Sequence, residues 1–151
     1  MRLEKDFEDF IRLLNSHNIR YLIVGAYAVS LYARPRNTGD IDFFIDNSRD
    51  NVSKLIEAIK EFGFNNLDLT YEDFESEDTM LQLGYEPVRI DILTGITGIS
   101  FKEAYPNRTQ ARMGNQKTSF ISLSDLITNK EATGRLKDKS DAELLRKFLE
   151  D

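Results

Sequence analysis

Cysteine is absent from the 151 residues. Disulfides, thiolate metal sites and a cysteine nucleophile are thereby excluded, and the fold must hold by its core. At this length folding withdraws roughly two-thirds of the unfolded chain's surface from water, so such a core is attainable. Histidine occurs once, as His17, near the expected end of a helix, where an imidazole meets free carbonyls and the helix dipole. No apolar run approaches the roughly 20 residues needed to span a bilayer. The opening MRLEKDFEDF is charged and amphipathic and lacks the apolar centre of a signal peptide, so a cytoplasmic protein is expected. Basic excess is also missing: 20 Lys+Arg stand against 26 Asp+Glu, a net charge of −6. That argues against broad, charge-driven nucleic-acid binding and leaves room for a local basic site.

The apolar pattern organises the rest. Leu3, Phe7, Phe10, Ile11 and Leu14 lie on one helical stripe ending near 15–18. Tyr21–Val24 reads as a short buried strand, and Gly25 leads into a helix-compatible stretch to Ala33, which Pro35 ends. Asp40–Asp46 alternates as a strand, its odd positions toward the core. Ser48 caps a further helix with Val52, Leu55, Ile56, Ile59 and Phe62 as its stripe and Gly63 as its stop. Residues 79–83 and 88–93 read as strands of a hairpin through 84–87, and 108–113 and 119–121 as shorter strands about Gly114-Asn115. Residues 64–78 carry no clear pattern, and their acids Glu72, Asp73, Glu75, Glu77 and Asp78 read as a mobile loop or lip. Two helices finish the chain, one behind Ser122 and Asp125, the other behind a capping box of Ser140 and Glu143, with Gly134 between them. With no repeat and no linker, the expectation is one α/β (α+β) domain over 1–151, a small mixed sheet flanked by helices.

Chemistry concentrates in three acids. Asp40 and Asp42 are two residues apart on a strand, so both carboxylates leave the same face about 6–7 Å apart. On the later strand Arg89, Asp91 and Leu93 share a face opposite Val88, Ile90 and Ile92. If the strands are neighbours, three acids converge. Two carboxylates 5 Å apart repel by roughly 3 kcal/mol at an effective dielectric near 20, which a divalent cation would relieve. The structural alternative has Asp40 opening a strand, Asp42 solvated, and Asp91 paired with Arg89 or an arginine of the 34–36 loop. A calcium-binding helix-loop-helix is excluded, since Phe44 and Ile45 fill the places of a ligand and a glycine. An aspartyl-nucleophile phosphatase is disfavoured because the acid pair starts its strand rather than ending it.

The series Val24-Gly25-Ala26-Tyr27-Ala28, then Arg36-Asn37-Thr38-Gly39-Asp40-Ile41-Asp42, then Ile90-Asp91-Ile92 resembles the nucleotidyltransferase superfamily typified by DNA polymerase beta. With Asp125-Leu126-Ile127, Lys130 and Arg135-Leu136-Lys137-Asp138 ahead of Asp141, it is similar to a small prokaryotic branch that includes abortive-infection nucleotidyltransferase toxins. The resemblance implies a nucleotidyltransferase-like fold and transfer of a nucleoside monophosphate from a nucleoside triphosphate to an acceptor hydroxyl on RNA, protein or a small molecule. It implies Mg²⁺ or Mn²⁺ held by Asp40, Asp42 and Asp91, with Asp91 as base or metal ligand. Gly25 and Ala26 would bring backbone amides to the triphosphate. Ala26 departs from the Ser or Gly of many members, which removes a hydroxyl contact and leaves an amide. Arg36 and Lys130 become triphosphate candidates, Thr38 a turn or ligand support. A toxin role with an antitoxin partner belongs to the same resemblance. The reading from another class is a catalytically silent nucleotide-binding or protein-interaction module on the same fold.

Overall fold

In the computed structural model, which describes residues 4–35 and 38–149, the chain runs α1 (Lys5–Ser16), β1 (Tyr21–Val24), α2 (Gly25–Tyr32), β2 (Asp40–Ile45) and α3 (Arg49–Phe62). It continues through β3 (Met80–Tyr85), β4 (Val88–Leu93), α4 (Phe101–Ala104), β5 (Thr109–Met113), β6 (Gln116–Phe120), α5 (Leu123–Ala132) and α6 (Leu136–Arg146). The strands form one mixed sheet in the order β3-β4-β2-β1-β6-β5. The expected α/β architecture, a small mixed sheet flanked by helices, is the one found. Strand β4 pairs parallel to β2, and β2 antiparallel to β1, so the two acidic strands are neighbours near the middle of the sheet.

Alternation decides which face is which. Ile41, Phe43, Ile45, Ile90 and Ile92 are fully or almost fully buried and point to the face covered by α1 and α3. Phe10 of α1 meets Phe43 edge-on at 5.4 Å and Phe62 of α3 at 5.1 Å. The stripe read on α1 is this contact surface, for Phe7, Phe10, Ile11 and Leu14 have no exposed area; Leu3 lies outside the described residues. The other face is polar only at its lower end. Asp40 and Asp42 are half-buried there, whereas Phe44, on the same face, is covered by Phe101 of α4, edge-on at 5.2 Å. Parity held along β2, but the far end of the strand is buried on both sides.

Several local expectations are corrected. The last helix starts at Leu136, just after Gly134 (φ +76°), so Ser140 is interior and no capping box forms with Glu143. Its first turn is anchored instead by Asp138, which accepts hydrogen bonds from Thr133 Oγ1 at 2.7 Å and Arg135 Nε at 2.7 Å. Strand β6 begins at Gln116 rather than 119, because Gly114-Asn115 is a two-residue hairpin turn, braced by the Asn115 amide donating to Glu8 at 2.6 Å. Ser48 precedes α3 without capping it; its hydroxyl donates to Asp46. The acidic stretch is not a loose loop: residues 71–74 form a 3₁₀ turn around buried Phe74, and the Thr94 hydroxyl donates to Ser76 O at 2.6 Å.

Candidate active site

Strand β1 runs directly into α2, and the junction is Gly25. Its φ of +71° is one that L side chains rarely adopt, and a Cβ there would overlap the Asp42 carboxylate. Glycine is required twice over, by torsion and by space. The α2 N-terminus is thus seated against the second acid of β2. Across the sheet Asp42 stands in register with Asp91, and Asp40 with Arg89. The carboxylates of Asp40, Asp42 and Asp91 each offer an oxygen within 4.8 Å of the others. Three hard oxygen donors at that spacing fit a divalent ion such as Mg²⁺ or Mn²⁺.

The electrostatics carry the mark of this crowding. Burial pushes the Asp42 carboxyl up to about 7, with the charges of Asp40 and Asp91 and a hydrogen bond to Asp91 adding to it. Arg89 opposes the effect. Its Nε and Nη2 donate to the two oxygens of Asp91 at 2.9 and 3.0 Å, Nη2 also reaches Asp40 at 3.4 Å, and Nη1 reaches Glu86 at 3.2 Å. Thr38 Oγ1 donates to the Asp40 carboxylate at 2.8 Å and, through a bifurcated contact, to its carbonyl at 3.2 Å. Thr38 is therefore both the turn element and the carboxylate support that its position allowed.

Arg36 lies outside the described residues. Lys130 is buried in α5, and its ammonium is engaged by Asp138 at 3.1 Å and Asp141 at 3.2 Å. Burial would raise the Asp138 carboxyl, but hydrogen bonds from Thr133, Lys130 and Arg135 outweigh it and hold the group at about 2. His17 pairs with Glu61 at 3.2 Å on the surface. The role of Arg89 as a bridge over two acids and Glu86 is what the sequence pattern leaves out. Parity places Arg89 beside Asp91, but only the β2–β4 register adds Asp40.

The model of one protein family, described as a nucleotidyl transferase of unknown function (DUF2204), matches residues 4–151. The chain belongs to this family. No curated protein is significantly similar to this nucleotidyltransferase in sequence. Among solved structures it is similar to the lincosamide antibiotic adenylyltransferase LnuA with lincomycin bound, at 16% identity and a TM-score of 0.62, over 97% of this chain and 98% of that one. The antibiotic-resistance factor ANT(2'')-Ia matches at 14% identity and 0.58, over 94% of this chain and 81% of that one. TM1012 of Thermotoga maritima, assigned as a nucleotidyltransferase, matches at 16% and 0.57, over 95% and 90%. At such identities the likeness speaks to the fold, which is the nucleotidyltransferase fold. Among the described residues, no helix is long and apolar enough to cross a membrane.

Proposed function

We propose that this nucleotidyltransferase moves a nucleoside monophosphate from a nucleoside triphosphate to an acceptor hydroxyl, with residues 1–151 acting as one catalytic unit. The observation that supports this most is the convergence of Asp40, Asp42 and Asp91 within 4.8 Å beside the Gly25 junction. Asp40 and Asp42 would hold Mg²⁺ or Mn²⁺, with Asp91 completing the set. Such an ion, when bound, neutralises the acids and the phosphate oxygens. The α2 N-terminus, free of side-chain bulk at Gly25 and Ala26, would receive triphosphate oxygens on its amides. Asp91, on the β4 side, accepts the proton of the attacking hydroxyl. Arg89 positions that carboxylate by its two-pronged hold, a geometry that a lysine cannot reproduce. Arg36 stays a proposed triphosphate contact. Lys130 is better read as joining α5 to α6 than as a phosphate ligand, since both of its short contacts are to carboxylates.

Incubation with Mg²⁺ or Mn²⁺, each α-labelled nucleoside triphosphate and a cell extract should label an acceptor. Equal labelling by Asp42→Ala protein would sink the assignment. The hold of Arg89 on Asp91 favours one second reading, a silent nucleotide-binding module, which predicts metal-dependent nucleotide binding and no transfer. The toxin role rests on the sequence resemblance: induced expression should arrest bacterial growth, and Asp40→Ala should relieve the arrest. Normal growth with soluble, nucleotide-binding protein would remove that role and, with it, the antitoxin partner.

A further inference from the structure

The acceptor can be approached through the sheet register. On the site face one row of side chains crosses the sheet: Gln82 of β3 is opposite Asp91 of β4, Asp91 opposite Asp42 of β2, and Asp42 opposite Val24, next to Gly25. The Gly25 end is the triphosphate side in the reading above. In nucleotidyl transfer the attacking and leaving oxygens lie roughly in line across phosphorus. The acceptor therefore arrives from the other end of the row, over Gln82. Strand β3 is the last in the sheet, so among the described residues no further strand bars that approach.

Along this edge runs a cleft of about 470 Å³ whose lining includes Phe64, Leu67, Gln82, Tyr85, Glu86 and Arg89. The volume is that of a small-molecule site. Its two charged residues are already spent on each other and on the acids, Glu86 on Arg89 at 3.2 Å and Arg89 on Asp91 and Asp40. The remaining lining is apolar or neutral: Leu67 is 41% exposed and Tyr85 89%. Gln82 is exposed beside Asp91, and its amide can donate and accept at once.

We propose, resting on the nucleotidyl-transfer reading, that this cleft is the acceptor subsite and takes an uncharged, hydroxyl-bearing small molecule with an apolar body. Leu67 and Tyr85 cover the body, and Gln82 bonds a polar group next to the reacting hydroxyl. The acceptor oxygen forms its bond to the α-phosphorus as the bond from that phosphorus to the bridging oxygen breaks. Pyrophosphate leaves with the electron pair, and the hydroxyl proton passes to Asp91.

The test offers α-labelled nucleoside triphosphates and Mg²⁺ with three kinds of acceptor: hexyl glucoside and chloramphenicol as uncharged probes, tobramycin as a cation, and a short RNA as a polyanion. Label is expected on an uncharged probe alone. Gln82→Ala and Leu67→Glu change exposed side chains and so spare folding. Each should raise the acceptor KM about 3- to 10-fold, the worth of one net hydrogen bond or contact, with the nucleotide KM steady. Labelling of tobramycin or RNA overturns the proposal, as does wild-type acceptor KM in both variants, or labelling of no probe by protein that does label an acceptor in cell extract. Protein that binds no nucleotide, or binds it and labels nothing even in extract, would instead overturn the nucleotidyl-transfer reading beneath it.

Discussion

Replacing Asp42 by asparagine should make the metal-free protein more stable while removing its chemistry. The carboxyl is pushed up to about 7 by burial and by the charges of Asp40 and Asp91, against an ordinary value of 3.8. Each pKa unit corresponds to about 1.4 kcal/mol, so ionising this group in the folded state costs at most about 4 kcal/mol. Coupling to its neighbours spreads that penalty, and an amide recovers only part of it. We expect Asp42→Asn to gain about 1–3 kcal/mol at pH 8 in EDTA, or roughly 3–9 °C in Tm for a chain of this size.

The pH dependence fixes the sign. Below about pH 4 the group is protonated in both folded and unfolded chains and contributes nothing. Between about 4 and 7 the folded protein holds a proton that the unfolded chain has lost, so stability falls as pH rises and levels off above 7. The advantage of the variant should open over that window and be complete by pH 8. Adding Mg²⁺ should then raise the Tm of the wild type and leave the variant nearly unmoved, reversing their order. Thermal or denaturant unfolding across pH 3.5–8, with and without Mg²⁺, measures all of this. A variant that is less stable than wild type at pH 8 in EDTA would refute the reasoning, because it would show Asp42 to be a structural partner and not a crowded charge.

Gly25→Ala places a methyl group on the Asp42 carboxylate at a φ of +71°; it should lose about 2 kcal/mol or more in urea unfolding and show no label transfer. Lys130→Met removes the ammonium shared by Asp138 and Asp141 in the α5–α6 joint while Thr133 and Arg135 still hold Asp138; it should destabilise by about 1–3 kcal/mol, read by the same unfolding curves. In wild type, the stabilising effect of Asp138, held at about 2, should be present above pH 4 and fade as pH falls toward 2. Arg89→Lys keeps the charge but loses the two-pronged hold on Asp91; kcat should fall about tenfold with little change in nucleotide KM, and the reverse split would remove Arg89 from its positioning role.

Strand parity was legible because its signal is local. The alternation in Asp40–Asp46 and Val88–Leu93 already puts the three acids on faces that can meet, and Gly25 after a buried strand marks a turn that needs a glycine. Their meeting depends on β4 pairing with β2 in a register that sets Asp91 opposite Asp42, a contact between residues far apart in the chain that no local pattern encodes. Lys130 shows the converse. Its place on a helix was readable, but whether a lysine faces water or carboxylates depends on where the next helix packs. The capping signal at Ser140 was misleading because Gly134 and the anchored Asp138 start that helix one turn earlier.

Mn²⁺ titration followed by electron paramagnetic resonance, with a non-hydrolysable nucleoside triphosphate present, tests the central claim most directly. Wild-type protein should bind the ion with its nucleotide, and Asp40→Asn, Asp42→Asn and Asp91→Asn should each weaken that binding at least tenfold, about 1.4 kcal/mol. Wild-type affinity in all three variants would contradict the claim that these carboxylates form the metal and nucleotide site.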